Sequence, residues 1–174
     1  DEESRIVKIK ESTVKDIISS VPPQVTLYGR EDKHNVTLGA GNVYYGTGGT
    51  ALNVLDYGPE KLRPANLNDL IEIIRIVDKL KNIHLMLLPT YPNELDVNDV
   101  DVNRFLAGFA YTSKHVMGGI YTSRGIEDVI SIAETIAGGP QALRERPFLS
   151  FISCGISPLR LDKKYGAFTI QLAR

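Results

Sequence analysis

The stretch from Gly41 to Leu55 contains the residue pattern most suggestive of chemistry. Gly46, Gly48 and Ala51 match the G-x-G-x-x-A spacing that lets a backbone wrap a pyrophosphate at the start of a helix. A nucleotide loop of that kind needs an amphipathic helix directly after it, whereas residues 51–55 form another apolar, strand-like run. We therefore favour a tight glycine turn within a β-hairpin over a nucleotide-binding loop.

Polar side chains follow the three most apolar strand-like runs, which span residues 83–88, 115–121 and 148–153. In parallel α/β folds, ligands bind at the carboxyl ends of the strands. We expect these polar residues to converge on one rim: Thr90, Tyr91, Tyr121, Thr122, Cys154 and Ser157. The alternatives are a helix cap at Thr122, an inert buried thiol at Cys154 and a simple turn at Ser157.

These residue types alone do not name a reaction. The histidines lack a regular ligand spacing, so the sequence predicts no zinc site at His34, His84 or His115. Neither a nucleophile elbow nor a P-loop lysine is present. Several carboxylates fall on predicted helices and are interpreted as solvated faces: Asp99, Asp101, Glu127 and Asp128.

The composition narrows the classes of protein. The chain has 174 residues, 43% of them hydrophobic, and a net charge of −1, which gives no electrostatic case for binding nucleic acid. A single cysteine, Cys154, excludes an internal disulfide and fits a reducing compartment. With no secretory leader and no apolar run approaching the ~18 residues that cross a bilayer, we expect a cytoplasmic protein without membrane segments.

The chain changes character near residue 63, which predicts two sections. Residues 1–62 form a β-rich N-terminal section, with strand-like runs at 5–9, 24–28 and 36–38 and one short helix over 12–20. Residues 63–174 alternate long helices with apolar strands. Asn66 and Asp69 resemble a capping box at the start of the first of these helices.

The helices of the second section have apolar stripes. The second helix is predicted to turn one face inward: Val102, Phe105, Leu106, Phe109 and Ala110. Thr122 or Ser123 caps the third helix, and Gly138-Gly139-Pro140 ends it. The last residues, 164–174, contain a glycine and a strand-like run.

Strand, helix, strand, helix, strand with short connections predicts an α/β fold with a parallel sheet. Apolar runs as continuous as 83–88 are typical of strands covered on both faces. Three strands cannot close a barrel, which needs about eight. The alternatives are a small open sheet and part of a larger barrel.

The order of several phrases resembles a known family. They are Pro23-Gln-Val-Thr-Leu-Tyr-Gly-Arg30, Gly41-Asn-Val-Tyr-Tyr-Gly46, Asn53-Val-Leu-Asp56, Arg63-Pro-Ala-Asn66, Thr112-Ser-Lys-His115, Ala137-Gly-Gly139, Leu143-Arg-Glu-Arg-Pro-Phe148 and Ile156-Ser-Pro-Leu159. From about Arg5 to Leu161 the chain is similar to the trimethylamine methyltransferase family of corrinoid-dependent methyltransferases.

That resemblance implies more than the residues show. It implies a partial TIM (β/α)8 barrel of about three βα units after the β-rich section. It also implies methyl transfer from a methylated amine, such as trimethylamine or glycine betaine, to cobalamin carried by a partner corrinoid protein, with no cofactor bound directly. Association between copies of the chain is compatible with it. Family members are far longer, so we expect a fragment.

Aromatic faces could hold a methylated cation through cation–π attraction. With the polar residues at the strand ends, they give the candidate substrate-binding set: Tyr44, Tyr45, Thr90, Tyr91, Tyr121 and Ser157. Two other interpretations remain open at this stage. The chain could be a different small-molecule barrel enzyme, since fold does not fix function, or a non-catalytic binding module that docks another chain through a sheet edge.

Overall fold

A computed structural model describes residues 4–58, 61–158 and 160–173. In chain order the helices and strands are α1 (Glu11–Ser19), β1 (Gln24–Leu27), β2 (Val36–Gly39), β3 (Asn53–Asp56), β4 (Lys61–Pro64), α2 (Leu67–Lys79), β5 (Leu85–Leu87), α3 (Val97–Tyr111), β6 (His115–Gly119), α4 (Ser123–Ala137), α5 (Pro140–Glu145), β7 (Leu149–Ile152) and α6 (Lys163–Leu172).

The N-terminal section contains two small antiparallel pairs. β1 pairs with β2, and β3 pairs with β4. Helix α1 buries none of its residues, so its apolar side chains face solvent. The strand predicted over residues 5–9 is wrong. Arg5 has a φ of 54°, outside the β region, and residues 6–10 belong to no described strand.

An arginine joins the β3–β4 pair to the start of α2. Arg63 lies on β4, at the predicted boundary between the two sections. Its guanidinium contacts Asp56 on β3 at 3.0 Å and Asp69 at 2.7 Å. Asp69 and Asn66 form the predicted capping box. Hydrogen bonding to Arg63 lowers the pKa of Asp69, so the carboxylate stays charged at the helix start, where the dipole favours it.

The second section is built on a parallel sheet in the order β5-β6-β7. Leu85 pairs with His115 across the first interface, and Val116 pairs with Leu149 across the second. This confirms the predicted parallel arrangement and the α/β fold class. Closure into a barrel is not seen among the described residues.

Helices α2, α3 and α4 cover one face of this sheet. Buried side chains from all three meet the sheet residues Met86, Leu88, Val116 and Leu149 in a single core. The apolar runs predict strands that are covered on both faces. On the opposite face of the sheet, however, Leu87, Met117 and Gly119 are only half-buried. Alternation along a strand explains the difference, because successive side chains point to opposite faces.

The inward face of α3 is partly different from the prediction. Phe105 and Phe109 are buried as expected, whereas Leu106 is 46% exposed and Ala110 is exposed. Asp101 and Arg104 are buried in their place, both with 0% exposure. The buried face of α3 therefore differs from the predicted apolar stripe, because the charged residues Asp101 and Arg104 occupy core positions on it.

The glycine-rich segment is not a hairpin turn, which corrects the preferred interpretation. Residues 45–51 run parallel to β5, with bridges joining Gly46 to Leu85 and Ala51 to Thr90. A Cβ at Gly46 would lie 2.8 Å from Leu87 Cδ1, so glycine allows this approach without a shift of the Leu87 side chain. The segment therefore covers the edge of β5 as an irregular extra strand.

The strand-like ending is also wrong, because residues 163–172 form α6. Asp162 caps this helix by accepting hydrogen bonds from the backbone N–H groups of Lys164 and Tyr165. Phe168 is buried on its inner side, and this packing overrides the weak local preference of Thr169 and Ile170 for strand. None of the helices described is both long and apolar enough to cross a membrane.

Candidate functional site

Two tyrosines meet at the carboxyl end of the parallel sheet. Tyr91 follows β5 and Tyr121 follows β6, and their ring centroids lie 5.3 Å apart with planes at 89°. Edge-to-face contact of this kind suits the quadrupoles of the two rings. Both side chains are half-buried. The predicted convergence of these two residues is therefore present, and we call them the Tyr91–Tyr121 pair.

A buried arginine from α3 supports this pair. The Nε of Arg104 donates to the Thr90 carbonyl at 3.1 Å, and one terminal nitrogen donates to the Leu88 carbonyl and the Thr50 hydroxyl, each at 3.0 Å. Its guanidinium carbon lies 5.5 Å from the centroid of the Tyr121 ring. Burial lowers the pKa of Arg104, and nearby Tyr121 and Asp101 oppose that shift. An arginine stays charged at neutral pH all the same.

Asp101, one turn earlier on α3, balances that charge. It accepts hydrogen bonds from the backbone of Tyr121 and from the backbone and hydroxyl of Thr122. Burial raises the pKa of Asp101, while these hydrogen bonds act in the opposite direction. The interpretation of Asp101 as part of a solvated helix face is wrong, because the carboxylate is enclosed between α3 and the start of α4.

Thr90 and Thr122 have different surroundings. Thr90 is 2% exposed, and its hydroxyl oxygen is buried without a hydrogen-bond partner among the residues described. Thr122 is the N-cap of α4 and accepts from the backbone N–H of Gly125 at 2.9 Å. The capping alternative for Thr122 is therefore confirmed.

The remaining rim residues lie after β7. Cys154 and Ser157 are both exposed, so the alternative of a buried thiol is wrong. Tyr165 on α6 is half-buried against the core, and burial first and then Tyr121, among other groups, raise the pKa of its phenol. The structure thus brings Tyr91 and Tyr121 into contact, whereas Cys154 and Ser157 stay on the solvent side.

Tyr44 and Tyr45 lie at the other end of β5. The Tyr45 backbone N–H donates to His84 Nδ1 at 3.1 Å, and the Tyr44 ring contacts the His84 ring edge-on. His84 precedes β5 and Tyr91 follows it, which separates the two groups of tyrosines by roughly 20 Å at the rise of a strand. The structure does not bring all four tyrosines together.

His84 and His115 form hydrogen bonds with backbone and side-chain groups. His115 contacts the Tyr28 carbonyl through Nδ1 at 2.9 Å and the Ser150 hydroxyl through Nε2 at 2.8 Å. In the described part of the chain, no group of three His, Cys, Asp or Glu residues could hold a metal ion.

Sequence reasoning assigned Asp101 to a solvated helix face and did not single out Arg104. A signal was available, because Asp101, Arg104, Phe105 and Gly108 follow the i, i+3, i+4, i+7 spacing of one helix face. Charged residues at core spacing beside a buried phenylalanine indicate a buried polar network, provided that the rest of the fold supplies partners.

Comparison with known proteins gives the family. A family model described as trimethylamine methyltransferase (MTTB) matches residues 2–174. Trimethylamine methyltransferase MttB of Desulfitobacterium hafniense is 30% identical over 174 residues, which is 100% of this chain and 35% of that protein. MttB of Methanosarcina thermophila is 28% identical over 179 residues, covering 100% of this chain and 37% of that protein.

A glycine betaine methyltransferase of Desulfitobacterium hafniense is 24% identical over 164 residues, covering 93% of this chain and 34% of that protein. The chain therefore spans about a third of the length of the curated relatives it matches. Because the family model covers nearly every residue, the chain belongs to the trimethylamine methyltransferase family.

Proposed function

We propose that the protein takes part in methyl transfer from a methylated amine, and that the Tyr91–Tyr121 pair contacts the cationic methylated nitrogen. The observation that carries this proposal is the half-buried aromatic pair at the carboxyl end of a parallel sheet. Aromatic faces attract quaternary and protonated amines through their quadrupoles. Family membership and the names of the relatives support an amine as the methyl donor.

The charges beneath the pair are compatible with a cationic ligand. Arg104 and Asp101 are both fully buried, have opposite charges and lie three residues apart on α3. The two charges cancel near Tyr121, so the Arg104 guanidinium does not repel a cationic ligand at the rings. Asp101 therefore favours amine binding without contacting the amine.

The chemistry required of the chain itself is modest. In the transfer, the C–N bond breaks, the nitrogen keeps the electron pair and leaves neutral, and the methyl carbon bonds to a nucleophilic acceptor. We propose the reduced cobalt of a partner corrinoid protein as that acceptor, as the family resemblance implies. This chain's part is to hold the nitrogen cationic and to orient the C–N bond toward the acceptor.

The proposed architecture is an arc of a (β/α)8 barrel. Its support is the parallel order β5-β6-β7, with α3 between the first two strands and α4 and α5 between the last two. An experimental structure of a longer relative tests it. Antiparallel neighbours on both sides of the equivalent sheet would contradict the arc.

The functional test is methyl transfer to reduced cobalamin with trimethylamine or glycine betaine as donor. We expect Tyr91→Leu and Tyr121→Leu each to weaken donor binding by about tenfold, the magnitude of a desolvated cation–π contact. Tyr57→Leu is the matched control, because Tyr57 is fully exposed in the β3–β4 turn. Unchanged donor affinity in both Tyr91→Leu and Tyr121→Leu would contradict the proposal.

The same assay addresses the other candidate residues. Contact between the donor and Tyr44, Tyr45, Thr90 or Ser157 stays a prediction. A loss of affinity in Tyr44→Leu or Tyr45→Leu as large as in Tyr91→Leu would extend the donor site to the other end of β5.

A further inference from the structure

Arg104 binds the backbone on either side of the site. Its guanidinium donates to the carbonyls of Leu88 and Thr90, which lead directly into Tyr91. It also donates to the Gly119 carbonyl at 3.4 Å, two residues before Tyr121. One side chain therefore joins the two strand ends that carry the aromatic pair.

The third element held by Arg104 is the glycine-rich segment. Thr50 has a φ of 44°, a left-handed conformation that β-branched residues rarely adopt. Its hydroxyl accepts from Arg104 at 3.0 Å, and its backbone N–H donates to the Leu88 carbonyl at 3.3 Å. Strained residues of this kind persist where the surroundings fix them, and they occur often at ligand sites.

The Tyr121 ring is held as well, since the guanidinium carbon of Arg104 lies 5.5 Å from the ring centroid. A planar guanidinium with fixed donor directions is suited to several acceptors and an aromatic ring at once. Lysine has one nitrogen and no plane, so it cannot reproduce this set of contacts.

We infer that Arg104 is the positioning residue of the Tyr91–Tyr121 pair, fixing the two rings for a methylated cation by binding both strand ends and the Tyr121 ring. The inference rests on the proposed function. Arg104 is fully buried and acts through the tyrosines, without touching the ligand.

Lys114 offers a matched control at the opposite end of the sheet. It is 2% exposed, and its ammonium group donates to the carbonyls of Val77 at 2.6 Å and Leu80 at 2.9 Å, at the end of α2. Both residues are thus buried cations that bind backbone carbonyls, but only Arg104 reaches the tyrosines. A purely structural role would make the two equivalent.

The test measures the dissociation constant of tetramethylammonium ion by calorimetry, well below the melting temperature of each variant. We expect Arg104→Lys, which keeps the charge that Asp101 balances, to weaken binding by about tenfold. Arg104→Met should weaken it less, because the unbalanced carboxylate of Asp101 attracts the cation. Lys114→Met should lower the melting temperature and leave the dissociation constant within about twofold. Arg104→Lys keeps the charge and serves if Arg104→Met does not fold.

The outcomes separate the two proposals. If the unaltered protein binds tetramethylammonium and the folded Arg104 variants bind it equally well, the positioning role is wrong and the proposed function stands. Equal weakening in Lys114→Met would also overturn the role, because loss of stability alone would then explain the effect. If the unaltered protein binds no methylated cation, the proposed function itself fails.

Discussion

Asp101 accepts hydrogen bonds from the backbone N–H of Tyr121 through both carboxylate oxygens, at 2.9 and 3.1 Å. The second oxygen also accepts from the backbone N–H and the hydroxyl of Thr122, at 2.9 and 3.0 Å. The carboxylate thereby links α3 to the residue that caps α4 and to the backbone of Tyr121, which carries one ring of the aromatic pair. Its four contacts need an acceptor-only group.

Asp101→Asn should destabilise the protein. The introduced amide nitrogen would face N–H donors, so the free energy of unfolding should fall by about 2–3 kcal/mol. Urea denaturation measures this change. Asp99→Asn is the control, since Asp99 is exposed in the first turn of the same helix and its replacement should cost about 0.5 kcal/mol. Equal losses in the two variants would contradict the enclosed role of Asp101.

The adjacent glycines of β6 should respond differently to alanine. A Cβ at Gly118 would lie 2.9 Å from Leu88 Cδ1 and 3.1 Å from Phe105 Cζ, inside the core. We expect Gly118→Ala to lower the free energy of unfolding by about 1–3 kcal/mol. A Cβ at Gly119 meets no described atom within 4 Å, so Gly119→Ala should change stability by about 0.5 kcal/mol or less.

Thermal and urea unfolding of the two alanine variants measure the contrast. A large loss in Gly119→Ala would show that the half-buried face of the sheet is filled. A weaker affinity for the methylated donor in Gly119→Ala, at unchanged stability, would place the donor in front of β6.

Two buried threonines should differ on replacement by valine. The Thr112 hydroxyl donates to Asp78 at 3.0 Å and accepts from the Lys114 backbone N–H at 3.1 Å. Thr112→Val should therefore cost about 1–3 kcal/mol. The Thr90 hydroxyl has no partner in the described residues, so Thr90→Val should leave the free energy of unfolding unchanged or raise it by about 1 kcal/mol.

Urea denaturation of the two valine variants, compared at one temperature, checks this. If Thr90→Val loses as much stability as Thr112→Val, the Thr90 hydroxyl has a bound partner such as a water molecule.

The buried ring of His115 should make stability depend on pH. Burial lowers the pKa of His115. Below the unfolded-state value of about 6.5, the unfolded chain takes up a proton that the folded ring resists, so stability falls as the pH decreases. The slope from this residue is at most about 1.4 kcal/mol per pH unit.

Unfolding free energies between about pH 7.5 and 5.5 measure that slope. His115→Gln can still donate to the Tyr28 carbonyl and accept from Ser150, but it does not titrate, so the slope should decrease. A residual slope from His34 is expected, because burial lowers its pKa as well. An unchanged slope in His115→Gln would show that His115 takes up its proton over the same pH range in the folded and the unfolded chain.

Local signals allowed correct predictions from the sequence. The Asn66–Asp69 capping box, the Thr122 cap and the end of α4 at Gly138 each depend on residues within a few positions of one another. Such contacts join residues close in sequence, so the local spacing is enough to predict them. The parallel order of the apolar strands also followed from their spacing and from the helices between them.

Incorrect predictions came from residues whose partners are distant in sequence. The glycine-rich segment was assigned to a hairpin because its neighbours along the chain look like strands, but its hydrogen bonds go to residues 84–91, about 40 positions away. The residues near Ile170 favour a strand locally, but the Asp162 cap and the burial of Phe168 stabilise a helix there.

Sequence alone was enough to predict the α/β class, the apolar strands, the helix caps and the positions of Tyr91 and Tyr121 at the strand ends, because these depend on periodicity and on neighbours within a helical turn. The folded chain was required to show that Asp101 and Arg104 are buried near Tyr121 and that Tyr44 and Tyr45 lie at the other end of β5. A charge enters the interior only where distant groups complete its hydrogen bonds. Those groups, at Thr50, Leu88 and Gly119, become neighbours of Arg104 only when the sheet has assembled.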